Sequence, residues 1–533
     1  MSTTIAIAEN IEELDSFNNR KSIDPNYSTE SSFDNLSIVN GNNRQLRQTS
    51  QDDVTTNIIQ PALQSIADVT KLNPDDNQLS LPNKPEEVET RTQIPITLQE
   101  EIALTLKNNQ EIQEGKLQVE QDVAVLREAK ATLYPTLDLN AGFNYSNYIF
   151  LNSISDETID EGVEETIAEY PNLSEAEARN FVEDEYDNFD LSSAEVSANV
   201  TLNYDIYDGG LRGANIRSTA KTLDSSRLNL EVLTEQAIYE TARDYYSLQN
   251  NDALVEIQGA AVTDANQTLK DAKLQEQAGL GTKFDVFSAE VALAQAIQAL
   301  TSAQEERNIA RRQLAETISV AHDSDLATAD AIEVIDTWKL SLPESIIRAF
   351  ENRAELKQFV LQRDIGAEQR KIASSAVKPT ISAFASYGID DDFEDSYDVS
   401  DPYSVGLSLQ WRLFDGGAAK AGARQAEKDI EIAETQFANQ RNLIRFAVEQ
   451  AYFGLESNLK NMSTATQEMD LAEESLRLAR MRFNAGVGTQ TEVIDAQTDL
   501  TTARGNLLSS IIDYNQSYVD LKRQISNVDR SDL

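Results

Sequence analysis

The chain has 533 residues, with 90 Asp and Glu against 45 Lys and Arg, a single histidine and no cysteine. A formal net charge of −45 excludes an ordinary nucleic-acid binder, whose phosphate contacts need Lys and Arg. Without cysteine there is no disulfide framework or thiol chemistry, and His322 alone leaves little scope for histidine-based metal or acid–base sites. No run of 18 apolar residues occurs, which removes a helical membrane span but not a strand-based one, where only alternate residues meet lipid.

Residues 1–92 are polar, rich in Asn, Asp, Ser and Gln, and are expected to stay disordered because they cannot bury enough apolar surface. Ala6-Ile7-Ala8 resembles the end of a signal-peptide cleavage site without the basic and apolar regions before it, so either the start is misassigned or truncated, or the match is chance. Residues 93–318 form a first structural unit. It opens with a helix over Thr97–Ala131, whose Leu98, Ile102, Leu106, Ile112, Leu117, Val119 and Val123 make an amphipathic stripe with a drift in register, and Pro135 ends it. Strict alternation follows. Leu137, Leu139, Ala141, Phe143 and Tyr145 face one way, and Asp138, Asn140, Gly142, Asn144 and Ser146 the other. After an acidic loop, 151–194, the alternation resumes as Val196, Ala198, Val200, Leu202, Tyr204 and Ile206.

Asp208-Gly209-Gly210 then introduces a helix from Leu211 to about Gln277, roughly 100 Å long at 1.5 Å per residue. Ala278-Gly279-Leu280-Gly281-Thr282 reverses the chain. The two glycines are expected at positive φ, with Thr282 as N-cap and Asp285 at the third position as in a capping box. The return helix, about Lys283–Ile318, carries Ala289, Ala292, Ala294, Ala296, Ala299 and Ala303, small enough for close helix approach.

Residues 319–342 link this unit to a second one, 343–527, followed by a tail, 528–533. His322, in the link, reads as an ordinary polar loop residue. The second unit repeats the first: Ser345–Leu356 matches Glu101–Ile112 at an offset of 244, and Pro379 matches Pro135. Ile381, Ala383, Ala385, Tyr387 and Ile389 alternate, with Phe384 breaking the polar face. An acidic loop, 390–402, precedes Val405, Leu407, Leu409, Trp411 and Leu413. Asp415-Gly416-Gly417 and the tip Ala485-Gly486-Val487-Gly488-Thr489 each follow their first copies by 207 positions. They bound a helix from Ala418 to about Asn484 and a return helix, about Thr491–Ile525, with Glu492 at the capping-box position. The chain is therefore expected to be internally duplicated, mainly α with β.

The strand runs are long enough to cross a bilayer when tilted, and Tyr145, Tyr148, Tyr204, Tyr207, Trp411 and Phe414 suit bilayer interfaces. Four strands cannot close a barrel, and an open edge in lipid is intolerable, so copies must associate. Two would give eight strands and three would give twelve with room for a pore. The alternative is a soluble coiled-coil scaffold with one wet sheet face. The acidic loops read as solvated, repulsive surface, with Ser174 and Glu177 capping a short helix. Weak binding of a divalent cation by their carboxylates is the sharper alternative. No nucleophile–base pair, phosphate loop or metal-ligand spacing points to an enzyme or a cofactor.

The order of strand, Asp-Gly-Gly turn, long helix, Ala-Gly-x-Gly-Thr tip and Ala-rich return helix, given twice, resembles the TolC family of outer-membrane efflux proteins over about residues 94–527. The resemblance implies a homotrimer. Its twelve-stranded barrel lies in outer-membrane lipid and continues as an antiparallel α-helical coiled-coil tunnel through the periplasm. It also implies a passive exit duct for efflux or type I secretion, docking a periplasmic membrane-fusion adaptor and an inner-membrane transporter, proton-driven or ATP-driven, at the tips Gly279, Gly281, Thr282, Gly486, Gly488 and Thr489. Glu492 and Asp495 match the family's acidic constriction, to which the first half adds Asp285. The structural reading of Glu492 is charge compensation at a helix N-terminus, and both roles can hold together.

Overall fold

The computed structural model describes residues 79, 81–85, 89, 92–147, 156–187, 192–320, 324–392 and 399–526. His322 and Tyr148 lie outside these, as do nearly all of residues 1–91.

The described chain opens with β1, Thr92–Ile96, followed by α1, Leu98–Asn108, and α2, Gln110–Ala131. Thr97 caps α1, and Glu100 reaches back to the Thr97 N–H at 3.0 Å. The single helix expected over 97–131 is thus two helices. Asn109 takes an extended ψ of 128° and interrupts the turn. Its side-chain oxygen accepts the Ile112 N–H at 3.1 Å, while its Nδ2 donates to the Thr317 carbonyl at 2.9 Å. No Pro or Gly marks this break; a contact from 208 positions away sets it. In the second half Arg353 interrupts in the same way, with ψ of 116°, between α7, Leu342–Asn352, and α8, Ala354–Ser375.

Four strands form one antiparallel sheet in the order β2-β3-β5-β6, comprising Thr136–Asn147, Ser192–Tyr207, Thr380–Asp392 and Tyr403–Gln410. The register carries one apolar row across all four: Leu137 pairs with Leu202, Leu202 with Ala385, and Ala385 with Val405. A parallel row runs through Leu139, Val200, Tyr387 and Tyr403. Phe384, which interrupts the polar face, lies over Gly406, where a Cβ would come within 2.7 Å of its ring. β6 ends at Gln410, three residues short of the alternation expected through Trp411 and Leu413. Gln410 pairs with Thr380, the first residue of β5, and Pro379 before it has no N–H to extend the ladder. Trp411 instead donates its indole N–H to the Val377 carbonyl at 3.1 Å.

All four strands join helices at one end of the sheet. β3 runs into α5, Leu211–Gln277, and β6 into α9, Ala418–Asn484, each of 67 residues. Their return helices are α6, Lys283–Thr317, and α10, Gln490–Gln524. At the other end, the β2–β3 connection contains α3, Asp156–Glu169, and α4, Glu175–Asp187, where one short helix was expected. Ile159, Val163, Ile167, Ala178 and Val182 give this pair a small core of its own. Ser174 caps α4 as the sequence implies, with Glu177 accepting from its N–H and O–H.

The main core sits midway along the long helices. α1 packs on α5 through Leu98, Ile102, Ile238, Ala242 and Tyr245, and α7 and α8 pack on α9 and α10 through Leu356, Ile444, Val448, Tyr514 and Tyr518. A two-stranded parallel sheet, absent from the sequence reading, seals this waist: β1 pairs with β4, Ser324–Thr328, inside the 319–342 link. Arg311 of α6 fastens it, reaching Asp252 of α5 at 3.2 Å and Asp325 of β4 at 3.6 Å.

Candidate functional site

Three features of the chain bear on what it does: the hairpin tips, the strand-to-helix turns and the exposed sheet face. Each tip begins as a Schellman closure. At the first, Gly279 has φ +75° and donates to Glu276, while Leu280 and Gly281 both donate to the Gln275 carbonyl. At the second, Gly486 has φ +74° and donates to Phe483, while Val487 and Gly488 donate to Arg482. Only the first glycine of each tip is at positive φ, against the expectation for both. Gly281 and Gly488 serve close approach instead. A Cβ at Gly488 would lie 3.0 Å from the Phe483 nitrogen, and one at Gly281 would lie 3.2 Å from the Gln275 Cβ. Leu280 and Val487 project from the tips, 83% and 71% exposed.

The acidic residues behind the tips differ in use. Asp285 closes a full capping box with Thr282, accepting its N–H at 2.8 Å and its O–H at 2.7 Å. Glu492 does not. Thr489 accepts the Glu492 N–H at 3.2 Å, but the Glu492 carboxylate turns to Arg482 in the last turn of α9, 3.4 Å away. Arg482 has no signal in the sequence that would single it out. Asp495 is exposed one turn further along α10, on the face it shares with Glu492. Among the described residues no hydrogen bond or ion pair joins Asp285 to Glu492 or Asp495. The two hairpins are linked nearby by Asp264 with Arg480 at 3.4 Å and by Thr268 with Gln497 at 3.0 Å.

The two Asp-Gly-Gly turns have one geometry. Gly209 and Gly210 have φ of +69° and +89°, and Gly416 and Gly417 of +70° and +90°. Asp208 accepts the N–H groups of Gly210 and Arg212 at 3.0 and 2.6 Å. Asp415 accepts those of Gly417 and Ala419 at 2.8 and 2.7 Å, and these bonds hold its carboxyl below the usual range. Each aspartate therefore satisfies the free N–H groups at the start of a long helix.

The apolar sheet face is uncovered. Leu139, Phe143, Val405 and Leu407 are each at least 67% exposed, in a contiguous patch that water does not tolerate on a monomer. No helix among the described residues is long and apolar enough to cross a membrane. Among the described residues no group of three or more acidic or histidine side chains could hold a metal ion.

Comparison with known proteins agrees with this geometry. The family model described as outer membrane efflux protein matches residues 102–319 and 346–526. The outer membrane protein TolC of Salmonella enteritidis is 22% identical over 369 residues, 64% of this chain and 71% of that protein. The solvent efflux pump outer membrane protein SrpC of Pseudomonas putida is 25% identical over 321 residues, 57% of this chain and 67% of that protein. The open state of the Neisseria gonorrhoeae MtrE outer membrane channel superposes with a TM-score of 0.65 at 15% identity, covering 87% of this chain and 100% of that one. The chain belongs to the outer membrane efflux protein family and is a TolC-like channel of the outer membrane.

Proposed function

We propose that three copies of this internally duplicated chain form a passive exit duct, with a twelve-stranded barrel in the outer membrane and a tunnel of helical hairpins in the periplasm. The observation that carries the proposal is the sheet. It has one continuous exposed apolar face and two unpaired edge strands, β2 and β6. Successive antiparallel pairing leaves β2 and β6 running in opposite directions. A β6 laid against the β2 of a second copy therefore continues an antiparallel ladder, and repetition closes it with an even strand number. Eight strands would fill with side chains, whereas twelve leave a lumen.

The hairpins supply the rest. Helices of 67 residues reach roughly 100 Å from the sheet end, and their tips present Leu280, Val487 and flanking backbone at the far end of the molecule. There an adaptor of the periplasm would dock and couple the duct to an inner-membrane transporter, in efflux or in type I secretion. Glu492 and Asp495, repeated three times about the axis, would line the narrowest point, attract cations and turn back anions, while Asp285, whose carboxylate is held by Thr282, would add little.

The test is the oligomer mass of the detergent-solubilised chain with its conductance in planar bilayers. A trimer with small, cation-selective channels that multivalent cations block supports the duct. A monomer or dimer that needs no detergent and conducts nothing sinks it and favours the soluble scaffold.

A further inference from the structure

Glu101 lies on the face of α1 that meets α5, and it has no exposed surface. Neither of its carboxylate oxygens has a hydrogen-bond partner. A buried carboxylate without a partner is among the costliest groups a fold can hold. The charges that act on it make matters worse, for all three are acidic: Asp330 of the link, Asp244 of α5 and Glu100 of its own helix. Burial first, and these neighbours second, push its carboxyl well above the ordinary range.

The neighbours cannot move to relieve it. Asp330 is fixed by the Leu98 N–H at 2.8 Å and the Tyr245 hydroxyl at 2.6 Å, and Gln249 donates to its carbonyl at 2.9 Å. Asp244 holds the Thr317 hydroxyl at 2.6 Å and lies 3.3 Å from Arg243. Nor does the shape of the junction require an acid. The position 244 later, at the same place in α7, is Ser345, also fully buried. Ser345 is satisfied, donating to the Ser341 carbonyl at 3.0 Å and accepting the Trp338 indole N–H at 3.2 Å. A small neutral residue packs there without strain.

We infer that Glu101 is a proton-binding site: a neutral carboxylic acid that lets α1 and the link close on α5, and that drives them apart when its proton leaves. The inference stands independently of the trimeric duct. Ionisation places an unpaired negative charge beside Asp330. The contacts that yield are those Asp330 makes to Leu98 and Tyr245, which tie the start of α1 and the link to α5. A carboxyl held above its unfolded value contributes stability that is whole below the ordinary carboxylate range. That stability is lost as pH rises through the folded value.

The experiment is reversible unfolding of the detergent-solubilised full chain between pH 5 and pH 9, for wild type, Glu101→Gln and Glu101→Ser; the serine copies position 345. Relative to either variant, the wild-type folding equilibrium should weaken by up to about tenfold per pH unit in the part of the window that lies below the folded value. Using the variants as references removes the contribution of Glu235, whose carboxyl burial also raises. In parallel, infrared difference spectra of the wild type on a rise in pH should show the carbonyl stretch of a buried neutral carboxylic acid disappearing above the ordinary carboxylate range. Equal pH slopes in all three proteins overturn the inference. If neither variant folds, the spectra are taken on Glu235→Gln/Asp513→Asn, which removes the other two carboxyls, among the described residues, that burial raises; absence of the band there overturns the inference, and its presence upholds it.

Discussion

Arg482 and Glu492 face each other across the second hairpin tip, 3.4 Å apart, as an ion pair without hydrogen-bond geometry. The first tip has no equivalent: the position 207 before Arg482 is the uncharged Gln275, and Asp285 bonds Thr282 instead. The acid proposed to narrow the duct thus carries its own counter-charge. Both partners are about half exposed, so the pair adds at most about 1 kcal/mol to stability. Arg482→Ala should leave the fold and oligomer unchanged while adding three uncompensated negative charges to a trimeric ring. Reversal potentials in planar bilayers should shift toward stronger cation preference, and block by multivalent cations should tighten. An unchanged reversal potential would place Arg482 and its partner away from the ion path.

The two Asp-Gly-Gly turns separate backbone strain from crowding. Gly209 and Gly416 have nearly the same φ, +69° and +70°, so alanine costs about 1–2 kcal/mol of left-handed strain at either. At Gly416 the added Cβ meets nothing within 4 Å. At Gly209 it would lie 2.8 Å from the Lys378 Cβ and 3.2 Å from the Ser375 carbonyl. That wall is main chain and the root of a side chain, so it cannot swing aside. Gly209→Ala should therefore destabilise by about 1–3 kcal/mol more than Gly416→Ala, read as thermal unfolding in detergent. Equal losses would mean that the turn relaxes around the new methyl group.

Much of this fold is legible because its punctuation is local. Asp-Gly-Gly and Ala-Gly-x-Gly-Thr bound α5 and α9, and period-two alternation marks the four strands, including which face of each is apolar. The departures share another cause. The break at Asn109 is set by the Thr317 carbonyl, β1 pairs with a strand 232 positions away, and β6 stops because its partner β5 begins at Thr380. None of these is written in the residues that display it. At the tips the sequence shows two glycines but not that they differ in kind. That Gly488 is needed for close approach follows only from where Arg482 and Phe483 lie.

That difference in kind is testable. Gly486→Ala should cost about 1–2 kcal/mol through its positive φ alone, because no atom lies within 4 Å of the new Cβ. Gly488→Ala should cost a similar amount by crowding, with its φ unaffected. D-alanine, introduced by semisynthesis, suits positive φ and should restore stability at Gly486 but not at Gly488. Rescue at both positions, or at neither, would contradict the division of roles. If the tips dock an adaptor, bulky substitutions at Gly279 or Gly486 should also impair export while trimers persist.

Asp285 and the pair Glu492 and Asp495 should part company when their charges are removed. The Asp285 carboxylate is spent on the Thr282 N–H and O–H at 2.8 and 2.7 Å. Asp285→Asn keeps an acceptor oxygen for Thr282 but loses the negative charge at the helix N-terminus, so it should cost about 0.3–1 kcal/mol, with little effect on ion selectivity. Glu492 contributes only its backbone N–H to the cap at Thr489, and Asp495 lies exposed on the same face. Glu492→Gln with Asp495→Asn should accordingly leave unfolding nearly unchanged, while cation selectivity and multivalent-cation block fall sharply. Thermal unfolding and bilayer recordings on the same preparations decide the matter. A selectivity loss in Asp285→Asn as large as in the double substitution would make the first tip an equal part of the constriction. Unaltered selectivity in the double substitution would move the constriction elsewhere along the duct.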